Sequence, residues 1–145
     1  MSEQPGDVSI EVRPTVPGSA SGAALVLDEA LSLWGGIDPE AGVVVDRHHP
    51  QVGESFTGKI VIMPHGRGSS SASSVLAEMV RAGTAPAAFV LHEPDEIIAL
   101  GSLAAEAVYG NVTPVVVCSP EDAARIATGD QVRLEGSTLL VIRPS

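Results

Sequence analysis

The residue types that could do chemistry are concentrated in one stretch, Pro64-His65-Gly66-Arg67-Gly68-Ser69-Ser70-Ser71-Ala72-Ser73-Ser74. Arg67 carries a planar, forked donor that matches a carboxylate or a phosphate. Gly66 and Gly68 on either side of it allow backbone conformations closed to other residues and a close approach to a ligand. Ser69, Ser70 and Ser71 add three consecutive hydroxyls. An apolar run, residues 59–63, precedes the stretch and reads as a buried strand. Val75, Leu76, Met79 and Val80 follow it at helical spacing. The order is strand, glycine-serine loop, helix start. The first N–H groups of a helix are unpaired and sit at the positive end of its dipole, which suits an anion. A plain Gly/Ser connector would explain the serines, but not a lone arginine between two glycines.

Other reactive side chains carry weaker patterns. His48 and His49 are adjacent and diverge in direction, and no His-x-x-x-His or Glu-x-x-His spacing occurs, so no metal site is expected in this chain. Cys118 closes an apolar run and reads as a small core residue. There is no Gly-x-Ser-x-Gly elbow, and Gly66-Arg67-Gly68 is neither a P-loop nor a dinucleotide fingerprint. Trp34 stands beside Gly35 and Gly36 in a chain that is only 3% aromatic, which suits the wall of a pocket or an interface. Asp46, Arg47, His49 and Pro50 read as turn chemistry, and Glu78 as part of a solvated helix face.

The elements that must position these residues follow from periodicity and punctuation. Residues 8–13 alternate apolar and polar as a half-buried strand, and residues 14–22, rich in Pro, Gly and Ser, read as a turn. Strands are expected over 23–27, 43–45, 59–63, 87–91 and 115–118. A helix from about Ser71 to Ser74 onward ends near Gly83. A second helix starts at Pro94-Asp95-Glu96, shows Ile97, Ile98, Gly101, Ala104, Ala105 and Val108 as its apolar face, and ends at Gly110. Ser119-Pro120-Glu121-Asp122 has the form of a capping box opening a short helix to Ala127. Residues 131–134 and 138–141 read as a terminal hairpin. The fold class is α/β, with layered sheet and barrel-like β-structure and helices packed against a parallel sheet.

Bulk properties bound the function. A length of 145 residues suits one domain with a real core, expected over residues 7–145 after a loose tail at 1–6. A net charge of −10 leaves no basic stripe for nucleic acid. No apolar run approaches the ~18–20 residues needed to span a bilayer. The first residues are acidic and polar, unlike a secretory signal, so a cytoplasmic location is expected.

Several of these stretches resemble the swivel-domain motifs of the aconitase X family: residues 32–42 with Trp34, Gly35, Gly36, Ile37, Asp38 and Pro39; Arg47-His48-His49-Pro50; the loop at 64–74 with Val75-Leu76-Ala77-Glu78; Gly83-Thr84-Ala85-Pro86-Ala87; and residues 94–101. They follow one another in family order from about Ile10 to Val141. Leu33, where Phe is common, departs from the pattern. The resemblance implies a swivelling β/β/α domain, either fused to a large catalytic domain or made as a separate small subunit. At 145 residues the chain is expected to be the small subunit. The family's characterised members are dehydratases, archaeal ones acting on phosphomevalonate and bacterial ones on cis-3-hydroxy-L-proline. An iron or iron–sulfur centre is then held by cysteines of the large partner, in keeping with a lone Cys118 here.

By similarity to the serine after the glycine in aconitase's swivel loop, Ser69 would be the base. The resemblance then places Arg67, Gly68, Ser70, Ser71, Trp34, Gly35 and Gly36 around a small hydroxy-acid substrate. A non-catalytic regulatory or assembly subunit is an alternative. A swivelling phospho-carrier is another, suggested by residues 127–130 before a hairpin, but such carriers put a histidine where Ser69-Ser70-Ser71 stand.

Overall fold

The computed structural model describes residues 7–65 and 71–142. Eight strands form one mixed sheet: β1 (Val8–Glu11), β2 (Arg13–Val16), β3 (Ser19–Val26), β6 (Ile60–Met63), β7 (Ala88–Leu91), β8 (Val115–Val117), β9 (Gln131–Glu135) and β10 (Thr138–Ile142), in the order β1-β10-β9-β3-β6-β7-β8-β2. A small ribbon, β4 (Ile37–Asp38) with β5 (Val43–Val44), stands apart. The helices are α2 (Ser71–Ala82), α3 (Glu96–Tyr109) and the short α4 (Pro120–Ala123), with α1 (Leu33–Gly36) a single distorted turn. The sheet has two halves. β3, β6, β7 and β8 run parallel, while β3, β9, β10 and β1 are antiparallel.

Burial explains the layering. Across the parallel strands Leu25, Val61, Phe89 and Val115 share one register row, and all four lie in the same cluster as Ala72, Val75, Leu76, Met79 and Ile98 from the helices. The neighbouring row of Ile62, Val90 and Val116 faces the other way, into a cluster with Val132, Leu134, Leu139 and Val141 from the hairpin. Full burial of each such side chain contributes about 1.5–3 kcal/mol relative to exposure. The helices therefore cover one face of the parallel strands and the antiparallel half folds over the other, giving the expected layered β/β/α arrangement. Val12 alone separates β1 from β2, yet these occupy opposite edges. The barrel-like structure is an open mixed sheet bent back on itself, not a closed barrel.

The caps fall where the sequence puts them. Asp95 Oδ1 accepts from the N–H of Ile97 and Ile98, both at 3.0 Å, and Gly110 closes α3 in the left-handed conformation. Ser119 Oγ accepts from Asp122 N–H at 3.1 Å, with Pro120 opening the helix. Three expectations are corrected. Residues 14–22 are not a turn: they hold most of β2 and the first half of β3, and Pro14 is tolerated because β2 is an edge strand with a register shift beside it. α4 ends at Ala123 rather than Ala127. On α3, Ala104 and Val108 face outward and Ser102 is buried in their place, donating to the Thr113 carbonyl. That helix is apolar nearly all round, so periodicity alone does not select its inner face.

Candidate active site

Arg67, Gly68, Ser69 and Ser70, with Gly66, lie outside the described residues. Ser71 is the first residue of α2. What is defined is the frame around this loop. It leaves β6 at the fully buried Met63 and enters α2, which packs on the sheet through Ala72, Val75, Leu76 and Met79. The start of α2 is fixed from outside by α3. A Cβ built on Gly101 would stand 2.9 Å from Ser73 Cα and 3.1 Å from the Ser73 carbonyl oxygen. Only glycine lets α3 lie this close to the first turn of α2.

The Trp34 turn packs against α2 as well. Leu33 is buried in the helix-side cluster, Gly36 is buried, and between them Trp34 is 62% exposed. Ser32 Oγ donates to the Trp34 carbonyl at 3.0 Å, and Gly35 takes φ +83 with open space where a side chain would go. The turn thus drives Leu33 inward and presents the indole to solvent. Trp34 is no core residue.

The residues after this turn form a brace. Asp38 Oδ1 accepts from the Glu40 N–H at 3.0 Å. Thr84, just beyond α2, donates through Oγ1 to the Pro39 carbonyl at 2.5 Å. Gly42 lies against Thr57 and Thr84 at φ +70, where a Cβ would come within 2.6 Å of Thr57 Oγ1. Arg81 bridges Glu78 on α2 and Glu40 on the ribbon, and its hydrogen bond holds the Glu78 carboxyl below the usual carboxylate range. His49 is buried and structural: its Nδ1 accepts from Gln51 N–H, so Nε2 carries the proton toward the Glu29 carbonyl, each at 3.0 Å. Sequence reading missed the parts played by Gly42 and Thr84, and the only signal was that both sit in motif stretches.

Burial pushes the Cys118 thiol up to about 11, and its side chain belongs to the hairpin-side core. Among the described residues no group of three or more His, Cys, Asp or Glu could hold a metal ion. One titratable group was overlooked. His92, directly after β7, is half-buried, and desolvation, then the nearby His65, keep its imidazole below the ordinary histidine value. Among the described residues no helix is long and apolar enough to cross a membrane.

Residues 9–142 match the family model described as the aconitase X swivel domain. A cis-3-hydroxy-L-proline dehydratase from Pseudomonas aeruginosa is 45% identical over 127 residues, which are 88% of this chain but 22% of that protein. The chain thus spans about a fifth of that relative's length. The phosphomevalonate dehydratase small subunit from Methanopyrus kandleri is 39% identical over 110 residues, covering 76% of this chain and 78% of the subunit. The crystal structure of Thermococcus kodakaraensis aconitase X in its holo-form superposes with a TM-score of 0.84 at 30% identity, over 94% of this chain and 99% of that one. This chain belongs to the aconitase X swivel-domain family.

Proposed function

We propose that the chain is the small subunit of a two-subunit hydro-lyase that dehydrates a hydroxy acid, and that it is active only with a large partner. The observation that carries this reading is the match to separate small subunits along most of their length, 78% in one case and 92% in another. In this reading the Gly-Ser loop is the catalytic segment. Ser69 takes the proton from one carbon, and that C–H electron pair becomes the new double bond. The hydroxyl departs from the adjacent carbon with Lewis-acid help that the partner's centre would supply, while Arg67 holds the substrate's carboxylate or phosphate in its fork. A serine oxygen is a useful base only where positive groups stabilise its alkoxide. Arg67, the loop N–H groups and the start of α2 are the candidates for that. Ser70 and Ser71 supply further hydrogen bonds, and Trp34, Gly35 and Gly36 form a wall. In this reading the iron or iron–sulfur centre is held by cysteines of the large partner, while Cys118 of this chain is buried in the hairpin-side core.

The test is co-expression with a dehydratase-like large chain, followed by size-exclusion chromatography and assays with phosphomevalonate and cis-3-hydroxy-L-proline. A stable heteromer with activity absent from either chain alone is expected. Full activity of this chain by itself overturns the reading. A heteromer whose turnover ignores Ser69 and Arg67 substitutions leaves an assembly subunit.

A further inference from the structure

The carboxyl ends of β3, β6, β7 and β8 share one edge of the sheet, and the connections leaving it diverge. α2 and α3 go to one face, while Ala123 and Ile126, after β8, pack on the other. Such a divergence opens a crevice at the sheet edge, which is where α/β sheets place their binding sites. Here the crevice has a volume of about 260 Å³. Its walls are aliphatic, among them Val26, Leu27, Ile62 and Ala124, with Asp28 and His92 as its polar groups. The backbone ladder continues into the edge: His92 N–H donates to the Pro64 carbonyl at 3.0 Å and Leu27 N–H to the Ile62 carbonyl at 2.8 Å. Pro64 also lines it, so the crevice begins at the foot of the Gly-Ser loop.

The surroundings are acidic. Asp28 is exposed at the wall, exposed Glu93 and Glu121 lie within electrostatic reach of His92, and Asp122 follows. Among the described residues, Arg125 is the cation beside the histidines here, and it is paired with Asp122 at 3.4 Å. The described part of the rim is therefore negatively charged. An aliphatic stem ending in a cation fits both the walls and the rim.

We infer that this crevice is a docking seat for the large partner subunit, which inserts a lysine or arginine side chain between Ala124, Leu27 and His92 under the carboxylates of Asp28, Glu93 and Glu121. The inference rests on the two-subunit reading and adds where the partner sits. The partner then grips the sheet edge at Pro64, where the Gly-Ser loop begins in the sequence.

The experiment measures the dissociation constant of the reconstituted heteromer by calorimetry at 50 and 500 mM NaCl. The paired charge reversal Glu93→Lys/Glu121→Lys and the plug Ala124→Phe are compared with the unaltered chain. All altered positions are surface-exposed, and circular dichroism checks their folding. Expected are salt-weakened binding for the unaltered chain and at least tenfold weaker binding for each variant. Leu100→Asp/Leu103→Asp, on the exposed outer face of α3, supplies a rival surface. Loss of binding there with the crevice variants unaffected overturns the inference but keeps the two-subunit reading. Intact binding with a raised KM in Ala124→Phe gives the crevice to substrate and overturns it too. No complex from the unaltered chain overturns both.

Discussion

The two ends of α2 are held by different physics. At its start, Gly101 of α3 lies against the backbone of Ser73 and the contact is one of shape. Past its end, Thr84 donates to the Pro39 carbonyl, Arg81 pairs with Glu40, and Gly42 lies under Thr84. The first end borders the loop that carries Arg67 and Ser69, and the second ties down the ribbon that carries the Trp34 turn. Hydrogen bonds and an ion pair thus anchor the far end, and the proposed chemistry belongs to the loop before the first. Motif residues at one end are read as chemistry and at the other as scaffold.

The largest expected effect separates those roles. Ser69→Ala should lower kcat by ~10²–10⁴-fold in the reconstituted complex while leaving folding and partner binding in place. Ser70→Ala and Ser71→Ala should lose far less. Equal, modest losses across all three would make the loop as structural as the far end. Next in size is Gly101→Ala. Its methyl would meet Ser73 backbone, and overpacking of this kind costs ~1–3 kcal/mol. Because the strain falls on the first turn of α2, kcat should drop along with Tm. A thermal loss with unchanged kinetics would uncouple the helix start from the site.

Thr84→Val probes the other end. Losing the bond to Pro39 should cost ~0.5–1.5 kcal/mol in urea unfolding, with kcat nearly unchanged. A kinetic collapse there would erase the contrast between the two ends. The smallest effect concerns pH. His92 titrates below the ordinary value of 6.5 because burial and His65 disfavour its charge, opposed by Glu121 and Glu93. The unfolded chain therefore takes up this proton first, so stability is unaffected above about pH 6.5 and declines as the pH falls below it. His92→Gln should lose less Tm than the unaltered chain between pH 7.5 and 5. Equal losses would assign the acid sensitivity elsewhere.

How much of this was legible in the sequence depended on range. Asp95, Ser119, Gly83 and Gly110 act on neighbours a few positions away, and each marks a helix end as read. The hairpin at 131–142 and the buried strands 88–91 and 115–117 were legible for the same reason. Residues 14–22 were not, because Ser19, Ser21 and Gly22 have turn composition and become strand only through pairing with β9. Gly22 is needed because a Cβ would stand 2.4 Å from the Gly58 carbonyl oxygen, a neighbour remote in sequence. Ser102 was missed because its partner, the Thr113 carbonyl, lies beyond the helix end. That Trp34 stands outside the core was legible from the aromatic-poor composition, whereas the brace of Gly42 and Thr84 depends on contacts that no local pattern encodes.

The single residue between β1 and β2 has a consequence for how the molecule assembles. Val8 pairs with Val141 and Val16 with Val115, and Thr15 donates to the Val115 carbonyl 100 positions away. One short segment, residues 8–16, therefore lies along both edges, using partners about 100 or more positions later in the sequence. Loops of this length are slow to close and raise the contact order, which slows folding. Until residues 115–142 are made, the edges of β8 and β10 do not exist and the first strands wait unpaired. During synthesis β1 and β2 are made well before their partners, and in that interval their unpaired edges are open to pairing with a neighbour.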